Sequence, residues 1–361
     1  GQVVVVRHAL PGERVRIRIT DSSKSFLRAD AVEVLEAAPG RVAPLRPYSG
    51  PGACGGCDFQ HVDPAAQRAL LGDVVREQLH RLAGVEWARE VEAVEPDALG
   101  WRTRVQFAVD SGGQPGLRRH RSHEIIPVDR CLIAHPELPD VLGRPWDTDS
   151  VEAIVSSTGE KLLVTDATIT DDIEDAIDGV VAVDGTIRGG RGVLTERVGD
   201  TEFRVSGSGF WQVHPAAAST LVDAVLAAAE ARDGEVVVDL YAGVGLFTAF
   251  LADAVGERGT VVSVESDQRA ARDARRNLHD SPQVKLMGSA AGWLFVRIPA
   301  GRGVPERRCV HPRIAFPGDR NFPAEVSVPV RPLVQRFFSG APRGHARPRR
   351  PHRKAVRPRR S

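Results

Sequence analysis

The chain has 361 residues, 42% of them hydrophobic and 26% charged, with a formal net charge of +1. That length holds two or three domains with proper cores, and it shows neither an apolar run long enough to cross a bilayer nor a signal-peptide pattern. The near-neutral balance hides an asymmetry: residues 291–361 carry 17 Lys plus Arg against 3 Asp plus Glu, a net of +14, which leaves −13 for the other 290 residues.

Nearly all basic residues are Arg, with only four Lys, which together with much Ala, Gly, Val and Pro suggests a GC-rich source. The first residue is Gly1 and the only Met is Met287, so a natural start is expected upstream. Two of the four Cys form a close pair, which in a cytosolic chain suggests a metal or redox site rather than disulfides.

Residues 1–45 alternate, in Gln2–Arg7, Arg14–Ile19 and Leu27–Leu35, and predict a small β-barrel or part of one. Arg14, Arg16 and Arg18 share one face of a strand, where they meet either phosphates or solvent. The loop-like stretch 46–62 holds Cys54-Gly-Gly-Cys57. Two thiolates at this spacing can hold one metal, with Cys131 as a third ligand and His61 completing a Cys₃His zinc site. A redox dithiol or a chance pair suits the same spacing. Asp63-Pro64 caps a helix running to Gly84, with an apolar stripe at Leu70, Leu71, Val74, Val75, Leu79 and Leu82. Residues 90–210 are rich in β-branched residues and Gly turns and predict an antiparallel sheet. Thr165 to Asp184 is acidic and reads as a surface hairpin or insertion. Pro215 opens a helix with Leu221, Val222, Val225 and Leu226 inward.

The most informative stretch is Val236-Val-Val-Asp-Leu-Tyr-Ala-Gly-Val-Gly-Leu-Phe247. It reads as a buried strand closed by Asp239, a turn in which Gly243 and Gly245 let the backbone approach a ligand, and the start of a helix. A second strand, Thr260–Val264, ends in Glu265, 22 residues after Gly243, where a carboxylate can accept hydrogen bonds from both hydroxyls of a ribose. A nicotinamide or flavin site wants a third small residue where Thr248 stands. Asp-x-x-x-Gly-x-Gly followed by an acid instead resembles the first motif of class I methyltransferases that use S-adenosylmethionine (SAM). Helices are predicted over Leu246–Val255 and Asp267–Leu278; past residue 288 the alternation fails, and Gly340–Ser361 reads as disordered.

Three separated motifs then agree: Cys54-Gly-Gly-Cys-Asp-Phe-Gln-His61, Ser208-Gly-Phe-Trp-Gln-Val-His214 and Asp239–Phe247. In this order they resemble the RNA (uracil-5-)-methyltransferase family, which makes 5-methyluridine in transfer and ribosomal RNA. Pro11-Gly-Glu-Arg-Val15 is similar to its N-terminal TRAM barrel, an OB-like RNA-binding module. Gly100–Arg104, Arg121–Glu124 and Val128–Cys131 are similar to its central domain. The resemblance covers roughly residues 2–288. It implies an α/β chain with a TRAM barrel over 1–45 and a central α+β domain with the Cys loop over 46–205. A Rossmann-like SAM-binding domain, cut short, follows over 206–290, and an off-pattern basic tail over 291–361. It further implies Gln212 at the polar end of SAM, Tyr241 lining the adenosine pocket, Glu265 on the ribose, RNA as the partner, and a monomer in the cytoplasm. The family's 4Fe-4S cluster uses four Cys; Cys54, Cys57 and Cys131 match three, and Arg46 stands where the first is expected.

The reaction the family performs needs a thiolate that adds to uracil C6 and a base that removes the C5 proton. The Ser-Cys-Asp-Pro-like and Asp-Pro-Pro-Arg loops that the family uses do not occur here. Cys309, among basic neighbours that would lower its pKa, is the only chemical candidate for the nucleophile, and Glu325 echoes the base motif superficially. Two accounts fit the tail: an Arg-rich extension that binds RNA phosphates, or a frame-shifted reading of a GC-rich gene. The abrupt end of the pattern favours the second, which implies a damaged or inactive product.

Overall fold

A computed structural model describes residues 2–45 and 47–288, together with 295–297, 313–315 and 326–327. Arg46, Cys309, Glu325 and the stretch Gly340–Ser361 lie outside the described residues. The chain falls into two compact units, Gly1–Gly292 and Trp293–Ser361.

The first three strands, β1 (Val3–Arg7), β2 (Arg14–Ser22) and β3 (Phe26–Glu36), form one sheet in the order β1-β3-β2. β2 and β3 are antiparallel, but β1 runs parallel to β3. Of the three Arg on β2, Arg14 pairs with Glu36 and Arg16 with Glu33 across the strands. These pairs are solvent-exposed and add little stability.

Helix α1 (Pro64–Ala83) starts where Asp63 accepts hydrogen bonds from the amides of Ala65 (2.9 Å) and Ala66 (3.3 Å), and it ends at Gly84 in the left-handed conformation. Its expected apolar stripe is only partly covered, with Leu70, Val75 and Leu79 half-buried. Leu71, Val74 and Leu82 are exposed, and Gly72 is the helix's one buried residue. The 3.6-residue period is present in the sequence, but half of the face it marks stays in solvent.

The central sheet has seven strands: β4 (Arg104–Val109), β5 (Pro115–Arg118), β6 (Ile125–Pro127), β7 (Ser150–Val155), β8 (Lys161–Val164), β9 (Gly179–Val181) and β10 (Ile187–Gly190). They lie in the order β10-β9-β8-β7-β4-β5-β6, antiparallel except for β8 beside β9. A core of Val105, Phe107, Val151, Leu163 and Trp146 fills one face. The acidic stretch Thr165–Asp184 is not a surface hairpin or insertion. It carries the one-turn helix α2 (Asp171–Glu174), places Ala167 and Ile173 in the core and contains the buried strand β9, so it is the crossover between two neighbouring parallel strands. A hairpin of β11 (Val193–Val198) and β12 (Thr201–Ser206) leads to α3 (Ala217–Ala229), whose Ala218 and Val222 are buried.

The last layer alternates: β13 (Val236–Leu240), α4 (Leu246–Val255), β14 (Thr260–Glu265), α5 (Gln268–Asn277) and β15 (Val284–Gly288). The three strands are parallel in the order β13-β14-β15. Val255, Val261, Leu251 and Ala252 form their shared core. In the second unit, three short strands, β16 (Phe295–Arg297), β17 (Arg313–Ala315) and β18 (Val326–Ser327), pair antiparallel.

Candidate functional site

The carboxyl ends of β13 and β14 meet where open α/β sheets bind ligands. Gly243 stands in the left-handed region (φ +60°) with open space where a side chain would be, which suits close approach of a ligand. Gly245 also has positive φ (+93°), but its missing Cβ would stand 2.6 Å from Leu278 Cδ1. A side chain at Gly245 would therefore collide with the end of α5, so the turn packs closely there.

Glu265 closes the site from β14. Its Oε2 accepts the Gly243 amide at 2.8 Å and its Oε1 accepts the Asp267 amide at 2.7 Å. The carboxylate thus ties the glycine turn to the start of α5 while remaining partly exposed. A cavity of about 260 Å³ opens beside it, lined by Ser266, Gln268, Arg272, Arg275 and Gly288 among others. Tyr241 is 86% exposed and has φ +62°, so it is not core packing. A non-glycine residue in that region signals strain of a kind found at functional turns.

Asp239 lies beneath this surface, 8% exposed. Thr248 Oγ1 donates to its Oδ2 at 2.6 Å and lies 3.1 Å from Ser263 Oγ. Thr248 is therefore a partner for the strand carboxylate rather than the small packing residue of a dinucleotide fold. Burial, with repulsion from Glu265, raises the Asp239 pKa to about 6, against the opposing hydrogen bond from Thr248. The folded state then holds this proton more tightly than the unfolded chain does. The stability that follows is fully present below the unfolded value of 3.8 and is lost as pH rises through about 6. Asp239→Asn is expected to stabilise the fold by about 2–3 kcal/mol at pH 8 and negligibly at pH 4. Urea unfolding at the two pH values checks this, and a pH-independent difference would contradict it.

Gln212 is half-buried in the irregular segment after β12, and among the described residues its carboxamide has no hydrogen-bond partner. The neighbouring Trp211 packs in one cluster with Phe203, Val244 and Leu246, which carries this segment to the glycine turn. Gln212, Tyr241, Gly243 and Glu265 thus belong to adjoining segments, although their spacing in sequence reaches 53 residues.

The cysteines form a second locus. Burial pushes the Cys54 and Cys57 thiols up, and the neighbouring Cys131 adds to both shifts. The Gly56 amide points at Cys54 Sγ (3.4 Å), and Gln60 bonds Cys57. His61 does not complete a zinc site here. It is 4% exposed and its ring packs edge-on against His8, centroids 6.0 Å apart. Among the described residues no group of three or more His, Cys, Asp or Glu is arranged to hold a metal ion. Three thiols come near one another, and the described residues supply no fourth.

The parallel sheet, the Gly243 turn and the acid at the tip of the second strand define the cofactor half of a class I methyltransferase fold. Residues 1–32 match the TRAM domain, and residues 213–294 match protein-L-isoaspartate(D-aspartate) O-methyltransferase. The second span is the β13–β15 layer with the segment before it, a fold that serves unrelated substrates. A Streptomyces avermitilis protein described as an uncharacterized RNA methyltransferase is 44% identical over 312 residues, 79% of this chain and 72% of that one. The 23S rRNA (uracil(1939)-C(5))-methyltransferase RlmD of Acinetobacter baylyi is 30% identical over 321 residues, 78% of this chain and 69% of that one. The crystal structure of Pyrococcus abyssi tRNA (uracil-54, C5)-methyltransferase, solved with S-adenosyl-L-homocysteine, has the same fold: TM-score 0.57 at 22% identity, over 79% of this chain and 75% of that one. The chain belongs to the RNA (uracil-5-)-methyltransferase family. No helix among the described residues is long and apolar enough to cross a membrane.

Proposed function

We propose that this chain binds SAM at the β13–β14 tip and that its reaction is methyl transfer to C5 of uridine in RNA, ribosomal or transfer. The observation that carries the cofactor reading is the Gly243 amide held on a partly exposed Glu265 carboxylate at 2.8 Å. In this reading Glu265 accepts the ribose hydroxyls, the exposed Tyr241 ring lines the adenosine pocket, and Gln212 meets the polar end of the cofactor. SAM supplies an electrophilic methyl group. The uracil reading rests on the relatives named above, and the TRAM match supports RNA as the partner.

The residues that would activate uracil are the weak part of the chain. Cys309 is the one thiol outside the Cys54–Cys57–Cys131 locus, and it lacks the family's flanking residues. Turnover is therefore expected near background, with cofactor and RNA binding retained. Labelled methyl transfer from SAM to uridine-containing RNA, read as 5-methyluridine after nucleoside digestion, tests both parts. Robust turnover would overturn the inactive reading, and its loss in Cys309→Ala would make Cys309 the nucleophile. Methyl appearing in another base or in protein would overturn the substrate. Binding of S-adenosyl-L-homocysteine and of RNA without any methylation would make the chain a non-catalytic RNA-binding, SAM-binding remnant.

Cys54, Cys57 and Cys131 would be the residues to hold an iron–sulfur cluster, but among the described residues they are three rather than four and are not arranged around one metal position, so no step is assigned to it. Anaerobic reconstitution with iron and sulfide is expected to load less iron per chain than in Arg46→Cys, which supplies a thiol at the place the family pattern asks for one. Equal loading of the two would contradict the three-thiol account.

A further inference from the structure

We infer that Arg104 and Thr103, at the start of β4 in the central sheet, are positioning residues for Gln212; this rests on the assignment of Gln212 to the polar end of SAM. Residues 207–214 form neither helix nor strand, so their place must be set by other contacts. Arg104 is 8% exposed. Its Nη1 donates to the Gly209 carbonyl and its Nη2 to the Gly207 carbonyl, each at 2.5 Å, while its Nε faces Glu152 Oε1 at 3.4 Å. The Thr103 amide and hydroxyl both donate to the Val213 carbonyl, at 2.8 and 3.0 Å. Trp101 stacks on His214 with ring centroids 6.0 Å apart. Carbonyls on both sides of Gln212 are thereby fixed to one strand of another sheet. From the opposite side, Asp273 Oδ2 of α5 accepts the Ser206 amide at 2.9 Å.

A guanidinium presents a planar fork that suits two carbonyls at once, and its removal leaves both without their buried donor. Glu152 balances the buried charge. Glu265 has its own anchors, the Gly243 and Asp267 amides, and shares no hydrogen bond with Arg104. Loss of the grip should therefore weaken the polar-end contact and leave the ribose contact intact.

A mutant cycle read by calorimetric titration of S-adenosyl-L-homocysteine into the full chain tests this. Arg104→Met is expected to weaken binding roughly tenfold. Gln212→Ala should weaken the wild type but add almost nothing in the Arg104→Met background, while Glu265→Gln should cost the same factor in both. A merely structural role for Arg104 would leave the Gln212 effect unchanged, and that result overturns the inference alone. A wild type that does not bind overturns the cofactor assignment and this inference with it. If Arg104→Met does not fold, Arg104→Lys, which keeps the charge beside Glu152 but reaches one carbonyl only, enters the same cycle. A partial loss of Gln212 coupling is then expected, and full additivity overturns the proposal.

Discussion

Glu265→Ala is expected to weaken S-adenosyl-L-homocysteine binding by roughly 30- to 1000-fold, or about 2–4 kcal/mol, with the fold retained. Hydrogen bonds to a charged acceptor are among the stronger ones, and a ribose offers two hydroxyls to one carboxylate. The same side chain holds the Gly243 and Asp267 amides at 2.8 and 2.7 Å, so its loss also frees the turn that borders the ligand. Glu265→Gln keeps the shape and loses the charge, and should fall between wild type and alanine. A linked effect separates this from general damage. Repulsion from Glu265 contributes to the raised pKa of Asp239, so neutralising Glu265 should lower it from about 6. An NMR titration of the Asp239 carboxyl checks that shift, and unchanged titration would contradict the contact.

Phe203→Ala should be the most damaging core change near the site, at about 3–5 kcal/mol of stability measured by urea unfolding. Phe203 is fully buried, and its ring lies 5.6 Å from Trp211 and 6.3 Å from Phe250. The cavity left behind would open beneath Trp211, the residue that joins the Gln212 segment to Val244 and Leu246. Cofactor affinity is expected to fall along with stability. Leu163→Ala, equally buried in the central sheet, should destabilise comparably and leave affinity within twofold of wild type. Equal affinity losses in both variants would mean that the Phe203 effect is global.

The cofactor layer was the most legible part of the chain. Val236–Leu240, Leu246–Val255, Thr260–Glu265 and Gln268–Asn277 follow the sequence expectation within a residue or two, because buried parallel strands are continuous apolar runs and the glycines mark the turn between them. β15 was not foreseen, since Val284–Gly288 is short, carries Lys285 and gains its place only by pairing with β14. The α1 stripe misled in the opposite direction: periodicity records which face could be buried, not what covers it. The parallel pairing of β1 with β3 is set by a non-local contact that no alternation pattern encodes.

Site residues divide in the same way. Gly243 and Glu265 were legible as candidates from the spacing of the strand-turn-helix-strand motif, whereas Tyr241 and Gln212 were legible only through the family resemblance. Arg104 was not singled out, because an Arg at the start of a strand reads as a solvated end. Its partners lie 103 and 105 residues away, and only the folded chain shows that it is buried on their carbonyls. The buried Asp239–Thr248 pair was half visible: the Asp as a motif position, the Thr only as a departure from another motif.

Calorimetric titration of S-adenosyl-L-homocysteine into the unmodified full chain tests the central claim most directly. Saturable binding at one molecule per chain, lost in Glu265→Ala, is the predicted result. No binding, or binding that Glu265→Ala leaves unchanged, would contradict the placement of the cofactor at the tip of β13 and β14.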